Sequence, residues 1–375
     1  LIEGNRATQP GGGLAFVDGA NSDLVDCVIR NNRLEGAPGP GASRAAGGAA
    51  PSVQDAGGAG IYCQLSSPPS FTCFITGNVS LVGPGGGVFL DAAAPILTGA
   101  TISGNSSPSF GGGGVACENN ARPVFAYCDV SGNVAGTEGG GVRGDQGAQL
   151  IFTGSLVRGN EAQTGGGVYA AASLVNLTDT RIQNNRGAGL VLAAGSSGTL
   201  EGATITGNAG SGEPGGVAVL QSLLTIGTTT IAGNLGRLDA AAGGLVLADA
   251  TVEMDRTIVW GNCLDASGTA TQEIFAGGAS LLTCTCCALD EPGTGGDGTI
   301  EYDGEQVFSD PLFCAPRSCE DAPSEAGDYT LSASSPCLAE NSPCGERIGA
   351  AEQGCDNPTS ILSTSWGRLK SRFGR

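Results

Sequence analysis

The side chains most often used for acid, base or nucleophile chemistry are scarce in this chain. It has no histidine, and its single lysine is Lys370. Two common ways of moving a proton or activating a nucleophile are therefore missing. Carboxylate, arginine and thiol remain. Asp129, Asp179 and Asp255 are scattered along the chain, with Arg158, Arg181 and Arg256 on outward positions. Asp179 with Arg181 and Asp255 with Arg256 are the close acid–base combinations, and each reads more simply as a solvated surface pair. Cys284-Thr285-Cys286-Cys287 offers thiols to a metal. Without histidine, a zinc site there needs a second cysteine pair at finger or ribbon spacing, which is absent.

Composition narrows the class. Of 375 residues 66 are glycine, while proline numbers 18 and hydrophobic residues make up 40 %. Glycine comes in clusters rather than at every third position, which excludes a collagen helix, and the hydrophobic content excludes a disordered linker. The net charge of −19 argues against nucleic acid and anionic membrane surfaces as partners. Fourteen cysteines suggest an oxidising compartment and hence secretion. No apolar run is long enough for a transmembrane helix. The opening Leu1-Ile2-Glu3-Gly4-Asn5 reads as the end of a repeat, so further sequence is expected before it.

That repeat is marked by Asn5, Asn32, Asn78, Asn105, Asn133, Asn160, Asn185, Asn208, Asn234 and Asn262, each preceded by Gly or Asn. The intervals are 27, 46, 27, 28, 27, 25, 23, 26 and 28. The long second interval contains a Gly/Pro/Ala-rich stretch, residues 36–57, expected to be a surface loop inserted into one repeat. Three positions before each asparagine stands Ile or Val, and five before the last nine stands a small residue such as Cys73, Ala100 or Ser155. A second mark is one to three glycines followed by an aliphatic residue, as at Ile61, Val88, Val115 and Val142. Alternation with period two predicts strands, and no period near 3.6 persists. A unit this short cannot bury its apolar face alone, so units must stack. The expected fold is an all-β solenoid of about ten coils, roughly 26 residues each, with the asparagines aligned as a hydrogen-bonding ladder at one corner.

The GGGV and IxGN marks at this spacing resemble the bacterial right-handed parallel β-helix family, and are similar to the repeats of polymorphic outer-membrane proteins. The resemblance covers residues 1–262. Residues 263–358 hold nine of the cysteines. Their Asp310-Pro311-Leu312-Phe313, Gly327-Asp328-Tyr329, Ser335-Pro336-Cys337 and Ile348-Gly349-Ala350 segments resemble the closing part of secreted bacterial β-helix proteins, which implies last coils followed by a disulfide-rich C-terminal cap. Residues 359–375 are basic and aromatic, similar to short C-termini that follow such caps; a sorting or anchoring tag is one reading and a frayed tail the other.

Cys63 and Cys73 hold the inward positions that Cys117 and Cys128 hold two coils later, so each pair is expected to bridge a coil interior. The competing pair is Cys27 with Cys73 on neighbouring coils. Cys314 with Cys319 and Cys337 with Cys344 are the expected local pairs of the cap.

For function, the resemblance implies little, because this fold carries enzymes, adhesins and passenger domains alike. The polygalacturonase-like sets (Asn-Thr-Asp, Asp-Asp, Gly-His-Gly and Arg-x-Lys) do not occur. A non-catalytic secreted or cell-surface rod is favoured, acting as adhesin or scaffold, with no cofactor. Its partners would be a surface glycan, a protein ligand or another copy joined end to end. The alternative is a pectin-lyase-like polysaccharide enzyme using calcium.

Overall fold

The structure is a computed structural model that describes residues 1–36, 57–68, 70–237, 240–265 and 273–356. Nearly all of the inserted loop at 36–57 and the whole tail at 359–375 lie outside the described residues. The loop's two ends rejoin the stack in register, since Glu35 N–H donates to the Ala7 carbonyl at 2.8 Å and Gly11 N–H to that of Gly57 at 3.2 Å.

The chain is an all-β parallel solenoid. A 20-stranded sheet and an 11-stranded sheet form its two long walls, and short pairings line a third side. Twelve successive turns cross the larger sheet, two more than the repeat marks alone indicate. The extra turns come from Leu281–Thr285 with Ala288–Leu289 and from Thr299–Asp303, which keep the register after the asparagines stop.

One turn explains the rest. Val142–Gly144 runs in the smaller wall; Gln149–Thr153 and Leu156–Arg158 run in the larger wall, bent at Gly154 and Ser155. Leu150, Phe152 and Val157 point inward and are fully buried, while Ile151 and Arg158 alternate outward. Each inward residue lies on its counterpart in the next turn, as Phe125 on Phe152 with rings 4.5 Å apart. Stacking of like on like builds one continuous core from units that have none.

Two backbone demands account for the repeat marks. The residue before every ladder asparagine has positive φ, from +55° at Asn31 to +70° at Gly261, where only Gly or Asn sits without strain. The glycine before the inward aliphatic residue is required for space, because a Cβ on Gly87 would lie 2.9 Å from the Asn105 amide nitrogen.

At three of the positions five before an asparagine, the small side chain turns to the adjacent coil's backbone. Cys73 Sγ donates to the Leu24 carbonyl at 3.3 Å, Cys128 Sγ to that of Leu97 at 3.3 Å and Ser155 Oγ to that of Phe125 at 3.0 Å. This corrects the expected bridges across the coil: Cys63, Cys73, Cys117 and Cys128 are all free thiols. The thiols of Cys73 and Cys128 are committed along the stack instead of across it. Burial pushes Cys63 and Cys73 up to about 12, which keeps both protonated and unreactive at neutral pH.

The cap cysteines also pair differently. Among the described residues the disulfides are Cys263–Cys319, Cys286–Cys344 and Cys314–Cys355, in place of Cys314–Cys319 and Cys337–Cys344. Cys337 is a free, fully buried thiol among Phe313, Leu331 and Ile348. The reason is the path of the segment. After Val307 the chain doubles back over the outer face of the larger wall, so two of its cysteines meet partners on the coils. Its own three-stranded sheet joins Phe313–Ala315, Asp328–Ser332 and Gln353–Cys355. The cap is thus a strap along the flank, whereas the last strand of the stack, Thr299–Asp303, stays largely exposed.

Candidate functional site

The ladder is the most regular polar array in the molecule. Asn32 through Asn262 are fully buried. Each Oδ1 accepts from the backbone N–H and the Nδ2 of the asparagine one coil earlier, with Nδ2–Oδ1 distances from 2.8 Å at Asn185–Asn208 to 3.1 Å at Asn160–Asn185. Each Nδ2 also donates to a carbonyl of the Ile/Val column, as Asn133 to Ile102 at 2.9 Å. Every donor is matched, so the column stiffens the stack and offers nothing to a ligand.

The ladder needs an acceptor where it stops. Val259 is aligned with Leu289, so Pro292 stands where the next asparagine would be. Glu273 takes over. It occupies the glycine position beside Gly244, is 1 % exposed, and accepts from Asn262 N–H at 3.0 Å and Asn262 Nδ2 at 2.6 Å. Burial raises its pKa to about 7, against the pull of the Asn262 donors. Only the missing asparagine at Pro292 hinted at this residue in the sequence.

A charged cluster on the outer face of the smaller wall is the strongest candidate for chemistry. Gln64, Asp91, Glu118 and Asp145 stand three residues after Ile61, Val88, Val115 and Val142, which puts them in one column. Arg143 reaches both acids beside it, Glu118 at 2.5 Å and Asp145 at 2.6 Å. Asp91 accepts from Gln64 at 2.8 Å and Asn119 at 2.7 Å. Burial raises the pKa of Glu118 and Arg143 opposes that rise. Glu118 and Arg143 also border a groove of about 450 Å³ between Val82–Pro84 and Ser109–Gly111. A carboxyl whose hold on its proton is raised by burial, beside a second acid, is the arrangement of general-acid chemistry. The sequence carried this signal at a period of 27, one position beyond the two inward residues that mark the strand.

The acid–base pairs noted in the sequence have other roles. Arg158 holds Asp129 at 3.0 Å and Glu325 of the strap at 2.9 Å. Arg256 holds Asp255 at 2.8 Å and pairs with Glu346 of the strap. Two of the three arginines therefore fasten the strap to the coils. Arg181 borders a groove of about 270 Å³ under the strap, while Asp179 sits at a bend with φ +48°. Among the described residues no group of three or more Cys, Asp or Glu is arranged to hold a metal ion, and no helix is long and apolar enough to cross a membrane.

Residues 51–219 match the family model described as right handed beta helix region. No curated protein and no solved structure matches the chain. Through the described part of that stretch, which carries most of the ladder, successive coils pair in parallel, as the matched model's description implies.

Proposed function

We propose that this protein is a non-catalytic secreted or cell-surface β-helix rod that works as an adhesin or scaffold by presenting its flanks to a ligand. The observation that carries this reading is the pairing of its acid–base groups. Arg158 and Arg256 each bind two carboxylates and Arg143 binds three. Groups so committed are poor candidates for a proton-transfer cycle, and a stiff stack with three disulfides suits a secreted support. The test is a polysaccharide panel followed by reducing-sugar release and absorbance at about 235 nm, with and without calcium. No turnover is expected; product formation that Arg143→Gln abolishes would replace this reading.

A second reading has one specific observation in its favour. Glu118, held towards its protonated form and paired through Arg143 with Asp145 beside the open groove, fits a polysaccharide-active enzyme. Product formation lost in both Glu118→Gln and Asp145→Asn would support it.

A further inference from the structure

A notch interrupts the flank on the third side of the stack. The link from ladder asparagine to inward aliphatic residue spans Asn160 to Val168 in one coil and Asn208 to Val217 in another, but only Asn185 to Leu190 in the coil between. The short link leaves a depression of about 500 Å³, with Arg186 and Gly187 on its floor and Pro323 of the strap on its rim.

The charges around it are unusual for this molecule. Twelve arginines are described, and eight of them form ion pairs with carboxylates: Arg6, Arg30, Arg33, Arg143, Arg158, Arg256, Arg317 and Arg347. Arg186 and Arg237, two of the remaining four, line the notch together. Arg237 spends one nitrogen on the Ala322 carbonyl at 3.1 Å, and its enclosed Nε has no acceptor among the described residues. Glu161 is the single carboxylate of the described lining. A chain of net charge −19 thus keeps in one concave place two guanidinium groups that form no ion pair among the described residues.

We propose that this notch docks an extended acidic segment of a partner protein. The inference rests on the reading of the protein as a ligand-presenting rod. Guanidinium pairs recognise carboxylates by charge-assisted hydrogen bonds, and arginine clusters are a recurring means of reading acidic motifs. Among the described residues no aromatic ring lines the notch, so a sugar ring has no platform to stack on. Arg186 is bridged to Ala209 and Ala209 to Leu235, which puts Arg186 two coils from Leu235, about 9.6 Å along the axis, with Arg237 two residues further along its own coil. A polyproline segment rises about 3.1 Å per residue with three residues per turn, so Glu-Pro-Pro-Glu carries its carboxylates on one side roughly 9 Å apart.

The probe is a fluorescein-labelled Gly-Glu-Pro-Pro-Glu-Gly peptide, titrated with the full chain and followed by anisotropy. Saturable binding is expected, weakened by high salt and absent for Gly-Gln-Pro-Pro-Gln-Gly. Arg186→Gln and Arg237→Gln should each weaken it about tenfold or more, as the loss of a charged hydrogen bond implies. Arg186→Glu, at an exposed position, should abolish it in a folded protein, and Arg122→Gln should leave it unchanged. No binding by the native chain would overturn the proposal. So would native affinity in Arg186→Glu, equal binding of the glutamine peptide, or displacement of the peptide by a uronate oligosaccharide. Because the readout is binding, failure of the notch is distinguishable from failure of the rod reading, which the polysaccharide panel tests by turnover.

Discussion

Between Asn32 and Asn262 each turn meets the next through a buried donor–acceptor column and a stack of like side chains, and every described cysteine there is a free thiol. From Phe308 onward the chain meets the coils through two disulfides, two arginine-centred ion pairs and a small core around Phe313, Leu331 and Ile348, while a third disulfide, Cys314–Cys355, closes the segment on itself. The periodic part recruits partners that recur at fixed intervals, so hydrogen bonds and packing suffice. The strap has no period and little core, and covalent links supply what repetition cannot. Cross-links belong where register is not self-enforcing.

The sharpest test of that contrast is in the middle of the ladder. Asn133→Ala removes the acceptor of Asn105 N–H and of one of the two Nδ2 hydrogens, leaving both buried without an acceptor while the other Nδ2 hydrogen keeps the Ile75 carbonyl. At about 1–3 kcal/mol for each orphaned group, a loss of about 4 kcal/mol is expected in chemical unfolding. Asn5→Ala, at an exposed rung of this chain, should cost less than about 1 kcal/mol by the same measurement. Equal losses at both positions would break the idea that enclosure gives the ladder its weight.

Glu273 supplies the next largest effect, and its sign is definite. Its folded pKa, about 7, lies above the ordinary carboxyl value, so the folded protein holds the proton more tightly than the unfolded chain. Stability from this group is fully present below about pH 4.5 and is lost as pH rises through about 7. Glu213 also has its pKa raised to about 7 by burial while accepting from Gly165 and Ala188 N–H, and it adds in the same direction. Glu273→Gln should remove a pH-dependent loss of about 3 kcal/mol between pH 5 and 8. A thermal-melt series as steep in the variant as in the native chain would show that the rung is not where the proton binds.

On the strap, the paired replacement of Cys314 and Cys355 by serine should cost about 2 kcal/mol, near the low end for a disulfide because two others still hold the segment. Limited proteolysis should then cut within residues 309–356 and spare the coils; cutting of the coils first would reverse the contrast. The smallest expected change is Arg158→Ala, which frees Glu325 and Asp129 at a half-exposed site and should cost less than about 1 kcal/mol.

The inward columns were readable because stacking turns a three-dimensional neighbour into a fixed sequence interval: Phe125 meets Phe152, and Val130 meets Val157, each 27 positions on. The same rule made Gln64, Asp91, Glu118 and Asp145 readable in principle, although their mixed chemistry hides a column that aliphatic residues display openly. Glu273 was not readable in the same way, since it enters the ladder from a glycine position. Nor were the partners of Cys263 and Cys286, which depend on how far an aperiodic segment travels back along the rod.

The amino-acid sequence by itself determined the period, the inward faces and the glycine and asparagine corners, because each is a local backbone demand repeated until it cannot be mistaken. Tertiary structure alone decided that the C-terminal segment lies along the flank, that Cys63, Cys73, Cys117 and Cys128 are unbridged, and that Arg186 and Arg237 share one notch. Those outcomes depend on where the chain goes after the repeat ends and on differences in link length between coils. Neither leaves a periodic trace.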